Sequence, residues 1–197
     1  MNNNIKLHTK EEFKFMRKAG QLAADCLDFI TDFVKPGIST LELNNICHQF
    51  QLKRGAKPAP LNYKGFPKSI CTSVNHVVCH GIPSEKILSD GDIINIDVTP
   101  ILNGWHGDSS RMFYVGNKVK LKAKRLVETT YEAMMKGIEK IKPGNTLGDV
   151  GHAIQIFAEK RNYSVVRDFC GHGLGKVFHD NPSVLHFGNP GEGIKLE

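Results

Sequence analysis

A chain of 197 residues is long enough for one domain with its own core. With 40% hydrophobic and 23% charged residues it has the balance of an ordinary globular protein, which excludes a chain disordered throughout. The formal net charge of +6 speaks to solubility and to a weak pull toward anionic surfaces, not to fold.

The opening residues, MNNNIKLHTKEEF, lack the apolar stretch of a secretory signal. No run reaches the roughly 20 apolar residues that a membrane span requires. Thr9 and Glu12 have capping-box spacing, and Phe13, Met16, Gly20, Ala23, Leu27 and Ile30 recur at helical intervals, so a long helix is predicted from about Thr9. Lys35-Pro36-Gly37 stops it, and Ser39 with Glu42 starts a second helix. Two histidines follow in VNHVVCHGIP, His76 and His80.

Residues 91–116, GDIINIDVTPILNGWHGDSSRMFYVG, read as a β-hairpin turning at Asn103-Gly104. With a two-residue turn, Leu102 faces Trp105, Thr99 faces Asp108 and Asp97 faces Ser110. Asp97 and Asp108 then share one face on a diagonal, whereas a slip of one residue would separate them. An isolated Asp in a hairpin is ordinarily solvated, but two carboxylates held close repel unless a cation or a proton intervenes. A third long helix is patterned by Ala123, Leu126, Val127, Thr130, Ala133, Met134, Gly137, Ile138 and Ile141. It too runs into Lys142-Pro143-Gly144, and Thr146 with Asp149 opens a fourth. CGHGLGKVFHD then brings His172 between two glycines and His179 seven residues later. A lone histidine is more often a structural hydrogen-bonding residue, and Gly-His-Gly alone is a weak motif.

Residues 34–54 and 141–161 align without a gap at an offset of 107, with Lys-Pro-Gly, Phe50/Phe157 and Lys53-Arg54/Lys160-Arg161 identical. The chain therefore reads as a duplicated helix–KPG–helix–strand unit, a first half of about 9–116 and a second of about 117–197 within one domain. The same offset carries residues 92–115 to 199–222, so the second half is expected to be incomplete. Five cysteines, Cys26, Cys47, Cys71, Cys79 and Cys170, without CxxC spacing fit a reducing cytosol.

Together His80, Asp97, Asp108, His172 and His179, in KPAPLNYKGFPKSICTSVNHVVCHGIP, NIDVTPILNGWHGDSSRMF and CGHGLGKVFHDNPSVLHF, closely resemble the type I methionine aminopeptidases over the whole chain. The resemblance implies the α+β pita-bread fold, two pseudo-symmetric halves around a curved antiparallel sheet, and two divalent metal ions (Co, Fe, Mn or Zn). Asp97 resembles a ligand of the first metal, Asp108 the carboxylate bridging both and His172 the imidazole ligand of the second. His80 and His179 resemble the histidines that contact the substrate and stabilise the intermediate. Tyr63, Phe66, Cys71 and Phe178 fall where the family forms its methionine pocket, with Pro60 and Phe66 as departures from close relatives. The implied substrate is the N-terminal methionine of nascent polypeptides. The implied setting is cytoplasmic and near the ribosome, as a monomer when complete, without membrane or specific nucleic acid. The family also uses two later glutamates, placed beyond Glu197, so this chain is expected to bind metal weakly and to show little activity. Two alternatives stay open. One is a non-catalytic peptide or nucleic-acid binding module on the same fold. The other is a prolidase-like or X-Pro aminopeptidase, a class that usually carries an extra N-terminal domain.

Overall fold

The computed structural model describes residues 5–197 and divides into two compact units. The first comprises residues 6–120 with Leu174–Phe178, and the second residues 121–173 with 179–197 and Ile5.

In the first unit, helix α1 (Lys10–Ile30) begins at the Thr9–Glu12 capping box. It buries Ala19, Leu22, Ala23, Cys26, Leu27 and Ile30, while Phe13, at the start of the predicted stripe, is exposed. The α-helical part stops short of Lys35. The Thr31 hydroxyl bonds back to the Leu27 carbonyl at 2.9 Å, and residues Thr31–Phe33 tighten into a 3-10 turn. Gly37 then takes a φ of +94°, a backbone region that glycine enters without steric cost. Helix α2 (Thr40–Lys53) starts at the Ser39–Glu42 box.

Strands β1 (Lys57–Pro58), β4 (Pro100–Leu102) and β5 (Trp105–His106) form one three-stranded sheet. Strands β2 (Cys71–Val74), β3 (Ile93–Val98) and β6 (Ser109–Tyr114) form a second, and all pairs are antiparallel. The turn predicted at Asn103-Gly104 is present, with φ of +52° and +78°. The predicted register holds as well, Leu102 opposite Trp105 and Asp97 opposite Ser110. The hairpin is not continuous, however. It breaks at Thr99 and at Gly107–Asp108, where its outer part turns to pair with β1. Gly107 lies against α1 so tightly that a Cβ there would overlap the Ala19 carbonyl. The core joins Leu22, Cys26, Leu27 and Ile30 of α1 to Leu43, Cys47 and Phe50 of α2 and to Ile94, Ile96, Val98 and Phe113 of the sheet.

The second unit repeats the helical plan. Helix α3 (Leu121–Ile138) leads to Gly144, again at φ +94°, and helix α4 (Leu147–Glu159) starts at the Thr146–Asp149 box. The duplication reaches further than the sequence alignment. Gly37 and Gly144 donate to the carbonyls of Leu88 and Leu196, and Thr40 and Leu147 to those of Lys86 and Ile194. The bridge Ser39–Ile87 likewise has its counterpart in Thr146–Lys195. The unit closes with strands β7 (Gly171–Gly173) and β8 (Asp180–Val184). Among the described residues no helix is long and apolar enough to cross a membrane.

Candidate metal centre and apolar wall

Cys71, Asp97 and Ser110 form one lateral row across β2, β3 and β6. Residues in such a row project to the same face of a sheet. Asp108 enters beside them from the break between β5 and β6, and the Thr99 hydroxyl donates to its Oδ1 at 2.9 Å. Thr99 is 2% exposed, so this bond is held away from competing water. Burial, followed by the charge of Asp108 and a hydrogen bond to it, pushes the Asp97 carboxyl up to about 7. The same two carboxylates, after burial, raise the Cys71 thiol to about 12. Cys79 is raised by burial and by Asp97. An oxygen-rich pair of mutually destabilised carboxylates fits a divalent cation, whose charge would relieve the repulsion.

His80 is exposed and stands at a φ of +54°, near the end of a loop that folds back on β2. That return is tied by Thr72 N–H donating to the Gly81 carbonyl at 2.8 Å and by Gly81 N–H donating to the Ser73 hydroxyl at 3.2 Å. The other first-unit residues singled out from sequence are aromatic. Tyr63 and Phe178 meet at 4.9 Å between ring centroids, and Phe66 closes the Tyr63 turn by donating its N–H to the Tyr63 carbonyl.

His172 and His179 belong to the second unit, where their rings lie 4.4 Å apart. The strand pair that carries His172 shifts register between His172 and Gly173. Only glycine suits position 173, because a Cβ there would overlap the Asn181 carbonyl. His172 Nδ1 lies 2.9 Å from the Gly173 carbonyl. A carbonyl can only accept, so Nδ1 carries a hydrogen in this contact. Thus Asp97 and Asp108 are brought together in one unit, while His172 and His179 are neighbours in the other. Among the described residues no group of three or more His, Cys, Asp or Glu side chains is gathered as a metal site.

Three residues with a part in this geometry were not among the site residues expected from the sequence. They are Thr99, Cys79 and His106, the last buried and stacked on Phe178. The hairpin register already paired Thr99 with Asp108. Nothing in the spacing of Cys79 or His106 pointed to these contacts, since both depend on loops folding back.

The fold is α+β, and a buried carboxylate pair of this kind suits a protein that binds a divalent cation. The model of metallopeptidase family M24 matches residues 14–197, and the chain belongs to that family. It is 64% identical over 193 residues to a methionine aminopeptidase of Rickettsia prowazekii, covering 98% of this chain and 74% of that protein. The crystal structure of methionine aminopeptidase from Rickettsia prowazekii superposes with a TM-score of 0.96 at 64% identity, over 98% of this chain and 77% of that one. The methionine aminopeptidase structure from Thermotoga maritima gives a TM-score of 0.94 at 36% identity, with 98% and 77% covered. The pita-bread fold and a metal-dependent aminopeptidase character follow from this membership.

Proposed function

We propose that this chain removes the N-terminal methionine of newly made proteins by metal-assisted peptide hydrolysis. The observation that carries the reading is the Asp97–Asp108 pair, which is costly to hold together without a cation. In this reading Asp97, Asp108 and His172 would be the ligands of two divalent ions (Co, Fe, Mn or Zn). Bound there, the metal supplies Lewis acidity toward the peptide carbonyl and lowers the pKa of a water.

The chain's own groups do the rest. Thr99 orients Asp108 by its hydrogen bond to Oδ1. Asp97, whose carboxyl is raised to about 7, carries a proton near neutrality in the metal-free chain and gives it up as metal binds. His80 and His179 are assigned to donate N–H bonds to the substrate carbonyl oxygen as charge develops on it. Tyr63, Phe66, Cys71 and Phe178 receive the methionine side chain. With its thiol pushed up to about 12, Cys71 stays neutral and serves as a small apolar wall.

Calorimetric titration of the metal-free chain with Co²⁺, alongside methionine release from Met-Ala-Ser, tests the proposal. The wild-type chain, without the two later glutamates of the family, is expected to take up the ion weakly and to release methionine slowly. The double substitution Asp97→Asn with Asp108→Asn is expected to lower both by at least about 100-fold while Tm is kept or raised. Metal uptake indifferent to both substitutions would overturn the reading.

A cytosolic monomer working beside the ribosome suits the surplus of six positive charges. Ribosome co-sedimentation that weakens between 50 and 200 mM salt, both about as used for nucleic-acid contacts, is the expected sign, and salt-independent pelleting would remove its electrostatic basis.

A further inference from the structure

The segment Leu174–Phe178 packs with the first unit, although the residues on both sides of it belong to the second. Both residues of β5 take part in its attachment. The main-chain N–H of His106 donates to the Gly175 carbonyl at 2.9 Å, and His106 Nδ1 reaches the same oxygen at 2.9 Å. Because a carbonyl only accepts, both are donors, and one acceptor is held by two bonds from one residue. The His106 ring also stacks on Phe178, with centroids 5.5 Å apart and planes 13° apart. One imidazole therefore grips the segment at two points three residues apart. Trp105 completes the seat. Lys176 lies 5.2 Å over its ring, and a Cβ on Gly175 would come within 3.0 Å of His8 and 3.7 Å of Trp105.

A buried histidine on a strand is often only core filling. His106 is 8% exposed and could be read so. Filling does not explain why its donor and its ring face act on the same short segment, one of whose residues, Phe178, meets Tyr63. Loops that bear specificity need a rigid element to hold them, and β5 is that element here.

We propose that His106 is a positioning residue that clamps Leu174–Phe178 onto β5 and so sets the place of Phe178 in the apolar wall that selects the substrate's first side chain. This rests on the function proposed above. Loss of the Nδ1 donor leaves Gly175 on its main-chain bond alone. Loss of the ring lets Phe178 swing away from Tyr63. Either change blurs the fit of an unbranched thioether against a branched aliphatic side chain, a kind of discrimination that rests on wall shape.

The test uses Trp105, the one tryptophan of the chain, as a reporter of the segment packed on it. His106→Ala, His106→Asn (which keeps an N–H donor) and His106→Phe (which keeps a ring) are compared with wild type. Val115→Ala, in the core of the same unit, serves as a control for plain destabilisation. Trp105 emission, Tm and the calorimetric affinities for L-methionine and L-leucine are measured with a divalent metal present throughout. In His106→Ala the emission is expected to move to the red and the methionine-over-leucine preference to fall about tenfold. The Asn and Phe variants are expected to be intermediate, and Val115→Ala to lower Tm with emission and preference unchanged. Emission and preference unaltered in all three His106 variants would overturn the inference, as would Val115→Ala reproducing both changes or a wild-type chain without preference for methionine. A wild-type chain that prefers methionine yet cleaves no peptide would remove the hydrolase reading and leave the role of His106 supported.

Discussion

The two units begin from the same instructions and end with different interiors. Both have a long helix, a Lys-Pro-Gly turn with glycine at φ +94°, and a capping box opening the next helix. In the first unit α1 lies on β3, β4, β5 and β6 and buries six residues. In the second, α3 packs chiefly on α4 and buries only Ala133 and Gly137. Leu27 and Met134 occupy corresponding positions of the repeat, yet they are 2% and 45% exposed. Leu126, Ile138 and Ile141 of the second unit are exposed as well. Helical periodicity thus specifies which residues share a stripe, and the element laid against the stripe decides whether it becomes core.

Substitution at the two corresponding positions is the most direct way to break this comparison. Leu27→Ala is expected to remove about 3 kcal/mol from the unfolding free energy, as large-to-small changes in a closed core do. The measurement is urea denaturation, and a loss below about 1 kcal/mol would mean that the α1 seat is loose.

Titration sets one carboxyl of each unit against the other in sign. In the first unit the folded-state Asp97 carboxyl lies near 7 against an ordinary 3.8, so between those values the folded chain binds more protons than the unfolded one. The contribution is fully present below pH 3.8 and is lost as pH rises to 7, a change on the order of a few kcal/mol. In the second unit Asp149 is held below its usual range by the backbone N–H of Thr146, then by that of Gly191. Its contribution is present above pH 3.8 and is lost as pH falls through the lowered folded value. Melting of the metal-free chain from pH 4 to 7 should therefore show the Asp97 decline, Asp97→Asn should flatten it, and a saturating divalent metal should reverse it. A decline that survives Asp97→Asn would assign it elsewhere.

The smallest effect is expected at Met134. Met134→Ala should change the unfolding free energy by no more than about 0.5 kcal/mol, as exposed substitutions do. A loss matching that of Leu27→Ala would show the α3 stripe to be covered in solution and would erase the contrast between the units.

Much of the site could be read before any coordinates. The Asn103-Gly104 turn set the hairpin register, and the register put Asp97 opposite Ser110 and Thr99 near Asp108. Both are local consequences of a two-residue loop and a period of two. The capping boxes at Thr9, Ser39 and Thr146 were legible for the same reason, since each closes within three residues. The break in the hairpin was not legible. It depends on β1 pairing with β4 and on the close approach of α1 at Gly107, contacts between segments far apart in the chain. Cys79 beside Asp97 and His106 beneath Phe178 were hidden likewise, because a polar residue carries no local mark of the loop that will fold onto it.

By itself, then, the amino-acid order determined the helices, their caps and stops, the duplication and the pairing of two carboxylates on one hairpin. All of these arise from interactions within a few residues or across a tight turn. Tertiary structure alone decided which helical stripe became core, raised the Asp97 carboxyl by burying it beside Asp108, and seated Leu174–Phe178 on β5. Burial and electrostatic coupling depend on what the rest of the chain brings alongside, and that is set only when distant segments pack.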